Sequence, residues 1–406
     1  MAAMATASVG TMRCLWLTLA DPDPPHNGQY VYTSGLIHSL AEAGAAVTVL
    51  GHQRIGSDRR DGETEGNIEW RLADPHQLSR WSSAMSSLPN LAHRCCTADM
   101  SRKLDGLLHD RGWDAIVLDG ITSGWALGRI TSWLRHQARL PKLVYISHNH
   151  EGSLRKRLAQ EQRAPLKRHA MRADARKVHR LEQALVAHAD LVTAITPEDA
   201  GLYRREWKDK PIEVLLPGFV SAADHDRPVT EDSPRRAVLV GSFDWIAKRM
   251  NLEDFVRIAD PLFAAHGVEL HIVGSGEAGY LDEMRGKVVT TRFIGPVKSV
   301  REYVQDARVA VVPEYNGGGF KLKVLDYVFG QRPILALDGS VAGMPLTDPD
   351  SIKLYPDQEA LARGVIDSID DLDQLNRQRR MAWSACHQKF DWRSRGQQLA
   401  AAIEGL

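Results

Sequence analysis

Short apolar runs alternate with longer segments of helical periodicity along the first half of the chain. Alternation of this kind is typical of a parallel sheet with helices on both faces, so the pattern predicts a doubly wound domain. A helix is predicted from Tyr30 to Ala43, where Gly44 ends it, and another begins at Thr196-Pro197-Glu198. The predicted strands are Cys14–Leu19, Ala46–Leu50, Asp114–Leu118, Leu143–Ser147 and Leu191–Ile195.

The alternation stops over residues 216–236, which are rich in Pro, Asp and Ser, and then starts again. Helices are predicted over Leu252–His266 and 320–329, and again from Leu361 to the last residue. The predicted strands of this half are Ala237–Val240, Glu269–Val273, Thr291–Ile294, Val309–Val312 and Pro333–Leu337. We therefore interpret 13–215 as a first α/β domain, 216–236 as a linker and 237–380 as a second α/β domain. In such sheets a ligand binds at the carboxyl ends of the strands.

Composition excludes several classes of protein. The 51 Lys and Arg residues among 406 balance 51 Asp and Glu, so the overall charge gives no sign of a nucleic-acid partner. The cysteines number four, and their spacing suits neither a disulfide framework nor a zinc site. Residues 1–12 lack Lys and Arg, and the apolar stretch after them is too short for a membrane span. We expect a cytoplasmic protein.

One segment is strongly basic. From Arg155 to Glu182 the chain has ten Lys and Arg residues and three acidic residues. A solvated helix face accounts for such a run. The alternative is a patch that meets anionic lipid headgroups or a diphosphate-bearing acceptor, at the inner face of the membrane.

Glycines at 274, 276 and 279 form a G-x-G-x-x-G pattern directly after a predicted strand. A dinucleotide site also needs an acidic residue about 20 positions further on, to hold the ribose. That region reads TTRFIGPV and has no acid. A tight glycine turn is therefore favoured over an oxidoreductase site.

A second glycine-rich loop carries more chemistry. Gly317, Gly318 and Gly319 come between the predicted strand Val309–Val312 and a helix, so backbone amides can approach an anion at the helix N-terminus. Lys323 lies in the first turn, within reach of the same anion. Asp326 follows three residues later on the same helix face and can accept hydrogen bonds from a ribose. Strand, glycines, cation and carboxylate come in the order that a nucleoside diphosphate requires.

At this point the sequence resembles a known family. Residues 240–245 (VGSFDW), 272–276 (IVGSG), 293–297 (FIGPV) and the block from Pro313 to Pro333 are similar to the C-terminal domain of GT-B glycosyltransferases, close to the retaining family 4. The resemblance implies two doubly wound Rossmann-like domains that face a central cleft. It also implies that a helix within residues 381–406 crosses back to the first domain.

The resemblance implies a nucleoside-diphosphate sugar as donor substrate, with no cofactor and no metal. Lys248 or Arg249 is then the cation near the diphosphate, Ile294-Gly295 holds the nucleobase and Asp326 holds the ribose. The donor-binding positions that match are Gly28, Gly241, Lys248, Arg249, Ile294, Gly295, Gly318, Gly319, Lys323 and Asp326. The sequence departs from many relatives at Gly318, where they have an acidic residue, and at Asp326, where they have the longer glutamate.

Two histidines and a carboxylate follow the predicted strand Leu143–Ser147. By resemblance His148 contacts the donor sugar, while His150 or Glu151 faces the acceptor. Glu151 is the acid near enough in sequence to act as a base if the enzyme inverts the anomeric centre. The resemblance favours retention, in which the leaving diphosphate accepts the acceptor's proton.

The sequence thus predicts a glycosyltransferase of polysaccharide biosynthesis that moves a sugar, such as a hexose, to a glycan, a lipid-linked acceptor or a small molecule. Two alternatives stay open. A nucleotide-sugar epimerase of the same fold would need carboxylates around the sugar, and a catalytically silent partner subunit would need none of the site residues. The donor sugar, the linkage and the oligomeric state do not follow from the sequence.

Overall fold

The chain divides into two compact units, Met1–Gly218 with Trp392–Leu406 (unit 1) and Phe219–Asp391 (unit 2). A computed structural model provides the coordinates. It describes residues 11–25, 27–55, 57–75, 77–79, 82–110, 112–162, 164–219, 226–243, 246–276, 278–315 and 320–406. Over these residues no helix is both long enough and apolar enough to cross a bilayer.

Unit 1 is built on an eight-stranded sheet in the order β3-β4-β2-β1-β5-β6-β7-β8, parallel except for the short β3. Leu15 and Leu17 of the central β1 are wholly buried, as are Ile116 and Val117 of its neighbour β5. The strands are β1 (Arg13–Ala20), β2 (Ala46–His52), β3 (Thr64–Glu65), β4 (Ile68–Ala73), β5 (Ala115–Asp119), β6 (Lys142–Ser147), β7 (Leu191–Ala194) and β8 (Ile212–Val214).

Helices connect these strands and cover the sheet. Polar side chains begin several of them: Asn27 Oδ1 accepts a hydrogen bond from the Tyr30 amide, and Thr196 Oγ1 accepts one from the Asp199 amide. The helices are α1 (Gly28–Glu42), α2 (Asn90–Cys95), α3 (Ala98–Asp110), α4 (Leu127–Leu134), α5 (Glu151–Glu161), α6 (Pro165–His188) and α7 (Pro197–Glu206), with 3-10 turns at Ser82–Met85 and Ile121–Ala126.

Unit 2 has a six-stranded parallel sheet in the order β11-β10-β9-β12-β13-β14. Its strands are β9 (Arg236–Val240), β10 (Glu269–Val273), β11 (Thr291–Gly295), β12 (Val309–Val312), β13 (Ile334–Leu337) and β14 (Lys353–Tyr355). Its helices are α8 (Ile246–Ala265), α9 (Ala278–Arg285), α10 (Arg301–Gln305), α11 (Leu322–Phe329), α12 (Gln358–Ser368) and α13 (Leu372–Cys386).

The chain returns to unit 1 as α14 (Trp392–Glu404), which packs along α1. A Cβ atom at Gly35 would overlap the Trp392 ring, and one at Gly396 would overlap the Ser39 carbonyl, so two glycines allow the helices to approach closely. This helix lies within the predicted range 381–406, whose first residues still belong to unit 2 because α13 continues to Cys386.

The predicted linker 216–236 is shorter in the structure than in the sequence interpretation. Val229 is buried, and its amide donates to Asn376 Oδ1 of α13 at 3.0 Å. Residues from 226 onward therefore belong to unit 2. The Pro and Asp residues suggested a linker because they interrupt the apolar pattern, but the buried Val229 and polar contacts such as the Asp226–Arg379 ion pair hold this segment in unit 2.

Candidate functional site

His148 follows β6 and is held by a buried carboxylate. Its Nε2 donates to Asp119 Oδ1 at 2.6 Å, and Asp119, the last residue of β5, is wholly buried. The other oxygen of Asp119 accepts from Trp16 Nε1 at 3.1 Å and from Thr33 Oγ1 at 2.7 Å. Because three donors fix the carboxylate, the carboxylate in turn fixes the orientation and the tautomer of the imidazole.

Helix α1 supports His148 from a second side. The Tyr32 ring packs edge-on against the imidazole, with the ring centroids 5.5 Å apart. Tyr32 is itself fixed, since its hydroxyl donates to the Leu215 carbonyl at 2.6 Å. Gly28, a predicted donor-binding residue, is the first residue of the same helix. Helix α1 thus carries both the predicted donor-binding residue Gly28 and the tyrosine ring that packs against His148.

Glu151 lies at the start of α5, buried and engaged on both carboxylate oxygens. Oε2 accepts from Arg155 Nε at 3.0 Å, and Oε1 accepts from Asn149 Nδ2 at 3.3 Å. This ion pair gives Glu151 a structural contact, whereas the sequence interpretation required a base free to take a proton. The role of Glu151 as a base stays a prediction that this geometry does not favour.

A second buried glutamate holds the segment that contains His148. Glu182 of α6 accepts hydrogen bonds from the Glu151 and Gly152 amides at 2.7 and 2.8 Å and from the Tyr203 hydroxyl at 2.6 Å. Burial raises its pKa, although these donors oppose the shift. Glu182 therefore fixes the turn between β6 and α5.

Three lysines surround one glutamate in unit 2. Lys323 of α11 donates to Glu314 Oε1, and Lys321 Nζ lies 3.7 Å from Glu314 Oε2. Burial opposes ionisation of Glu314, but the charges of Lys323, Lys321 and Lys248 outweigh it and hold the pKa of this carboxyl below its ordinary value. Burial lowers the pKa of Lys321, with Lys323 and Lys248 adding to that shift. The cluster carries more positive than negative charge.

Asp326, one turn further along α11, has no such partner. Among the residues that the structure describes, none donates a hydrogen bond to its carboxylate or forms an ion pair with it. Burial raises the pKa of Asp326 to about 7. In its ionised form this carboxylate can accept hydrogen bonds from hydroxyl groups, such as those of a ribose.

The glycine turn after β10 packs directly against the turn after β9. Gly274 has a positive φ of 141°, and a Cβ atom there would overlap the Gly241 carbonyl. The Gly274 amide donates to the Gly295 carbonyl at 2.9 Å, so the predicted residues Gly241 and Gly295 lie on either side of this turn. Steric demand thus explains the first glycine of the G-x-G-x-x-G pattern, as the tight-turn interpretation expected.

The remaining predicted donor residues fall in three groups. Arg249 Nε donates to the Phe243 carbonyl at 2.8 Å, and its guanidinium lies 4.7 Å from the centroid of the Tyr280 ring. Ile294 is the penultimate residue of β11. Gly318 and Gly319 lie outside the described residues. Within the part of the chain that the structure describes, no group of three or more His, Cys, Asp or Glu side chains is placed to hold a metal ion.

The sequence interpretation did not single out four of these residues: Asp119, Glu182, Glu314 and Lys321. Asp119 is the last residue of an apolar strand, and the next strand along the chain precedes His148. Its position at a neighbouring strand end could therefore have indicated it. Glu314 and Lys321 flank the glycine loop, and the spacing of Lys321 and Lys323 was visible. No sequence signal connects Glu182 with Glu151, because the contact depends on the packing of α6 against α5.

Two family models match the chain. Residues 27–218 match the model described as glycosyl transferase 4-like domain, and residues 234–371 match the one described as glycosyl transferases group 1. Together the two matches span most of both units. No curated protein sequence matches the chain.

Solved structures share the fold along nearly the whole length. Sucrose-phosphate synthase from Thermosynechococcus elongatus is 18% identical, with 97% of this chain and 98% of that chain covered and a TM-score of 0.68. WaaG, a glycosyltransferase involved in lipopolysaccharide biosynthesis, is 15% identical over 97% of this chain and 100% of its own, with a TM-score of 0.66. HepE of Anabaena, solved in complex with UDP and glucose, is 15% identical over the same shares, with a TM-score of 0.64.

Proposed function

Because this chain belongs to the GT-B glycosyltransferases of the family 4 type, we propose that it transfers a sugar from a nucleoside-diphosphate sugar to a glycan, a lipid-linked acceptor or a small molecule. One observation carries the donor class: the lysine cluster around Glu314 has an excess of positive charge next to Asp326. A diphosphate supplies the missing negative charge, and a ribose supplies the hydroxyl donors that Asp326 lacks. The Anabaena relative, solved with UDP and glucose, supports uridine as the nucleoside.

The lysines would act mainly on the leaving group. As the bond between sugar and diphosphate breaks, negative charge grows on the diphosphate oxygens, and fixed positive charge stabilises it. Lys321 and Lys323 lie at the N-terminal end of α11, where the helix dipole adds to the same effect. In this proposal lysines neutralise the diphosphate, and the reaction proceeds without a metal ion.

His148 would contact the transferred sugar. Its Nε2 donates to Asp119, so the neutral ring presents Nδ1 to the ligand as an acceptor for a sugar hydroxyl. The negative charge of Asp119 behind the ring supports a role against the oxocarbenium-like sugar. Since Glu151 is engaged by Arg155, we propose retention, in which the leaving diphosphate takes the acceptor's proton.

We further propose a peripheral contact with an anionic membrane, at its cytoplasmic face. Leu166, in the first turn of α6, is 88% exposed, and Lys167 and Arg168 follow it directly. An exposed apolar side chain flanked by cations is suited to the boundary between headgroups and acyl chains. The test is the binding of the full chain to phosphatidylglycerol vesicles with Leu166→Ser as the comparison. Equal binding of the unaltered chain and the Leu166→Ser variant would contradict the proposed membrane contact.

A screen of donors tests the function directly. UDP, GDP, dTDP and their sugars are added to the purified chain, and the thermal midpoint and the release of nucleoside diphosphate are measured. A ligand at 100 times its Kd adds about 2.7 kcal/mol to the free energy of unfolding, which the thermal midpoint reports. We expect UDP-sugars to stabilise the protein most. The absence of both stabilisation and turnover with every nucleotide would contradict the proposal.

A further inference from the structure

Helices α5 and α6 of unit 1 enclose a groove of about 590 Å³. Small residues line its inner part, namely Gly152 and the buried Ala159 and Ala175. A Cβ atom at Gly152 would lie 2.9 Å from His179 Nδ1 and 3.0 Å from Glu182 Oε2, so a larger residue has no room there. Gly152 thus allows α5 to approach α6 closely at the inner end of the groove.

Three cations line this groove, and none of them has a partner among the described residues. Lys156 comes from α5, and Arg172 and Arg176, four residues apart, come from one face of α6. Within the described parts of the chain, no side chain or carbonyl forms an ion pair or a hydrogen bond with any of the three. Their neighbours differ, because Arg155 binds Glu151 and Lys177 donates to the Ser83 and Ser86 carbonyls.

A buried histidine nitrogen faces the same groove. His150 Nδ1 accepts from the Ser153 amide at 3.3 Å, so the neutral ring carries its proton on Nε2. The residue is 3% exposed, and Nε2 has no hydrogen-bond partner among the described residues. Glu206 Oε1 lies 3.6 Å away, beyond hydrogen-bond distance. A buried donor without an acceptor is costly, so this nitrogen indicates a position where a ligand oxygen would be stabilised.

We propose that this groove binds a phosphate or diphosphate group carried by the sugar acceptor, where the identification with the acceptor rests on the proposed function. Arg172 and Arg176 provide planar donors that match phosphate oxygens, and Lys156 adds a third charge. His150 Nε2, 3.6 Å from Glu206 Oε1, donates to an uncharged oxygen of the group that carries the phosphate. Glu206 accepts a hydrogen bond from Gln183 Nε2 at 2.7 Å, and its negative charge keeps the anion at the basic end of the groove. It can also accept a hydrogen bond from a hydroxyl of the group that carries the phosphate.

Pyrophosphate is the direct probe, and calorimetry on the full chain at an ionic strength of about 0.15 M is the measurement. Because the donor lysines also attract pyrophosphate, every protein in the series carries Lys321→Gln and Lys323→Gln. Against that background, Lys156→Gln with Arg172→Gln and Arg176→Gln should weaken pyrophosphate binding by about 30-fold or more, since three charge-assisted contacts are lost.

The matched control removes the same charge from outside the groove. Arg157→Gln with Arg180→Gln and Arg102→Gln, an exposed residue of α3, changes the net charge by the same amount in the same unit and should alter affinity by less than about threefold, because exposed charges are screened. A second variant, Ala175→Leu, fills the groove with no change in charge and should also weaken binding. Equal losses in the two charge variants, or full binding by Ala175→Leu, would overturn the proposal.

Turnover with two acceptors identifies the source of the phosphate. The two acceptors are a soluble sugar phosphate and a polyprenyl diphosphate in phosphatidylcholine vesicles. In the otherwise unaltered chain, the triple variant of Lys156, Arg172 and Arg176 should raise KM by about tenfold or more for whichever acceptor carries the bound group. Donor hydrolysis should stay unchanged. A protein that binds pyrophosphate in the groove but transfers no sugar would refute the proposed function and not the anion site. If the triple variant lost binding to phosphatidylglycerol vesicles but kept its pyrophosphate affinity, the three cations would belong to a membrane-binding surface. That result would overturn the proposed anion site.

Discussion

The two units treat their charged site residues in opposite ways. At the His148 site of unit 1 the Asp119 carboxylate accepts three hydrogen bonds, one of them from His148, so this charge is fully engaged within the protein. In unit 2 three lysines act on one glutamate, and the carboxylate of Asp326 has no partner among the described residues. A set of complete contacts holds a side chain in place, whereas an unbalanced set stabilises a ligand that completes it.

In the proposed reaction these two sets of contacts have different roles. The complete set around His148 is organised before substrate arrives, so little reorganisation is required when charge develops. The incomplete set costs folding free energy, because like charges and a buried carboxylate lie close to one another. In the proposed function that cost is recovered when a nucleoside diphosphate binds. The following experiments test this contrast between the two units.

Removing the excess charge should have the largest effect. Lys323→Ala alone should reduce donor binding or turnover by about tenfold or more, and Lys321→Gln with Lys323→Gln should reduce kcat/KM by about 10³-fold, if each charge-assisted contact contributes about 2 kcal/mol. Initial rates of nucleoside diphosphate release measure the loss. Lys287→Gln, an exposed lysine of the same unit paired with Glu283, is the control and should stay within about twofold of the unaltered chain. Unchanged kinetics in folded lysine variants would remove the phosphate assignment.

Asp119→Asn should lower kcat by about 100-fold, because an amide cannot accept from all three donors and reverses the preference of the His148 tautomer. The donor KM should change little, which separates this variant from the lysine variants. Asp105→Asn, an exposed residue of α3 paired with Arg129, provides the control in unit 1. A normal kcat in a folded Asp119→Asn protein would show that His148 acts without its carboxylate.

Asp326→Asn should raise the donor KM by about tenfold at pH 8, since an amide is a weaker acceptor for ribose hydroxyls than an ionised carboxylate. The effect should diminish at pH 5.5, where the native carboxyl, with its pKa of about 7, is protonated. Stability should change in the other direction. A folded-state pKa above the ordinary value means that the native protein loses stability as the pH rises from about 4 to 7, so the variant should have the higher Tm at pH 8 and a similar Tm at pH 5.

Replacement of Glu151 should have a small effect. Glu151→Gln keeps an acceptor for Arg155 and should lower kcat by less than about threefold, whereas loss of a catalytic base costs about 100-fold or more. The anomeric configuration of the product, read by NMR, completes the test. A large loss of kcat together with an inverted product would restore Glu151 as the base.

Metal removal should change nothing measurable. Initial rates with and without EDTA should agree, because lysine charge takes the role that a divalent cation plays at other diphosphate sites. Loss of activity that added Mg²⁺ or Mn²⁺ restores would contradict this expectation. It would also show that the lysine cluster alone does not neutralise the diphosphate.

Both the fold and the family followed from the sequence, but the site followed only in part. The buried strands of both sheets are continuous apolar runs, and such runs are visible without a structure. Strands at and near the edges, such as β8 and β4, were missed, because Ile212–Val214 has only three residues and Ile68–Ala73 alternates with polar residues. Local motifs likewise singled out Lys323, Asp326 and His148 as candidates, through their positions near strand ends and loops.

Partners distant in the chain were beyond the reach of a local pattern. The Asp119 carboxylate meets Trp16 and Thr33 only because β1 pairs with β5 in the sheet and α1 packs beside them. Glu151 looked like a free acid because its ion pair with Arg155 depends on the helix that begins at that residue. A sequence indicates which residue types are near a strand end, and packing decides which of them are already engaged.

The C-terminal helix also has a consequence for how the protein is made and divided. The chain leaves unit 1 at Gly218 and re-enters it at Trp392, and these two residues are in contact, while Phe219 and Phe390 are joined by a backbone hydrogen bond of 3.1 Å. In genetic terms unit 2 is an insertion into unit 1. The ribosome completes unit 2 before it supplies the helix that covers α1, so a gene fragment that ends at Gly218 encodes an unfinished domain. A gene that joins Gly218 to Trp392 through a short linker encodes a whole one.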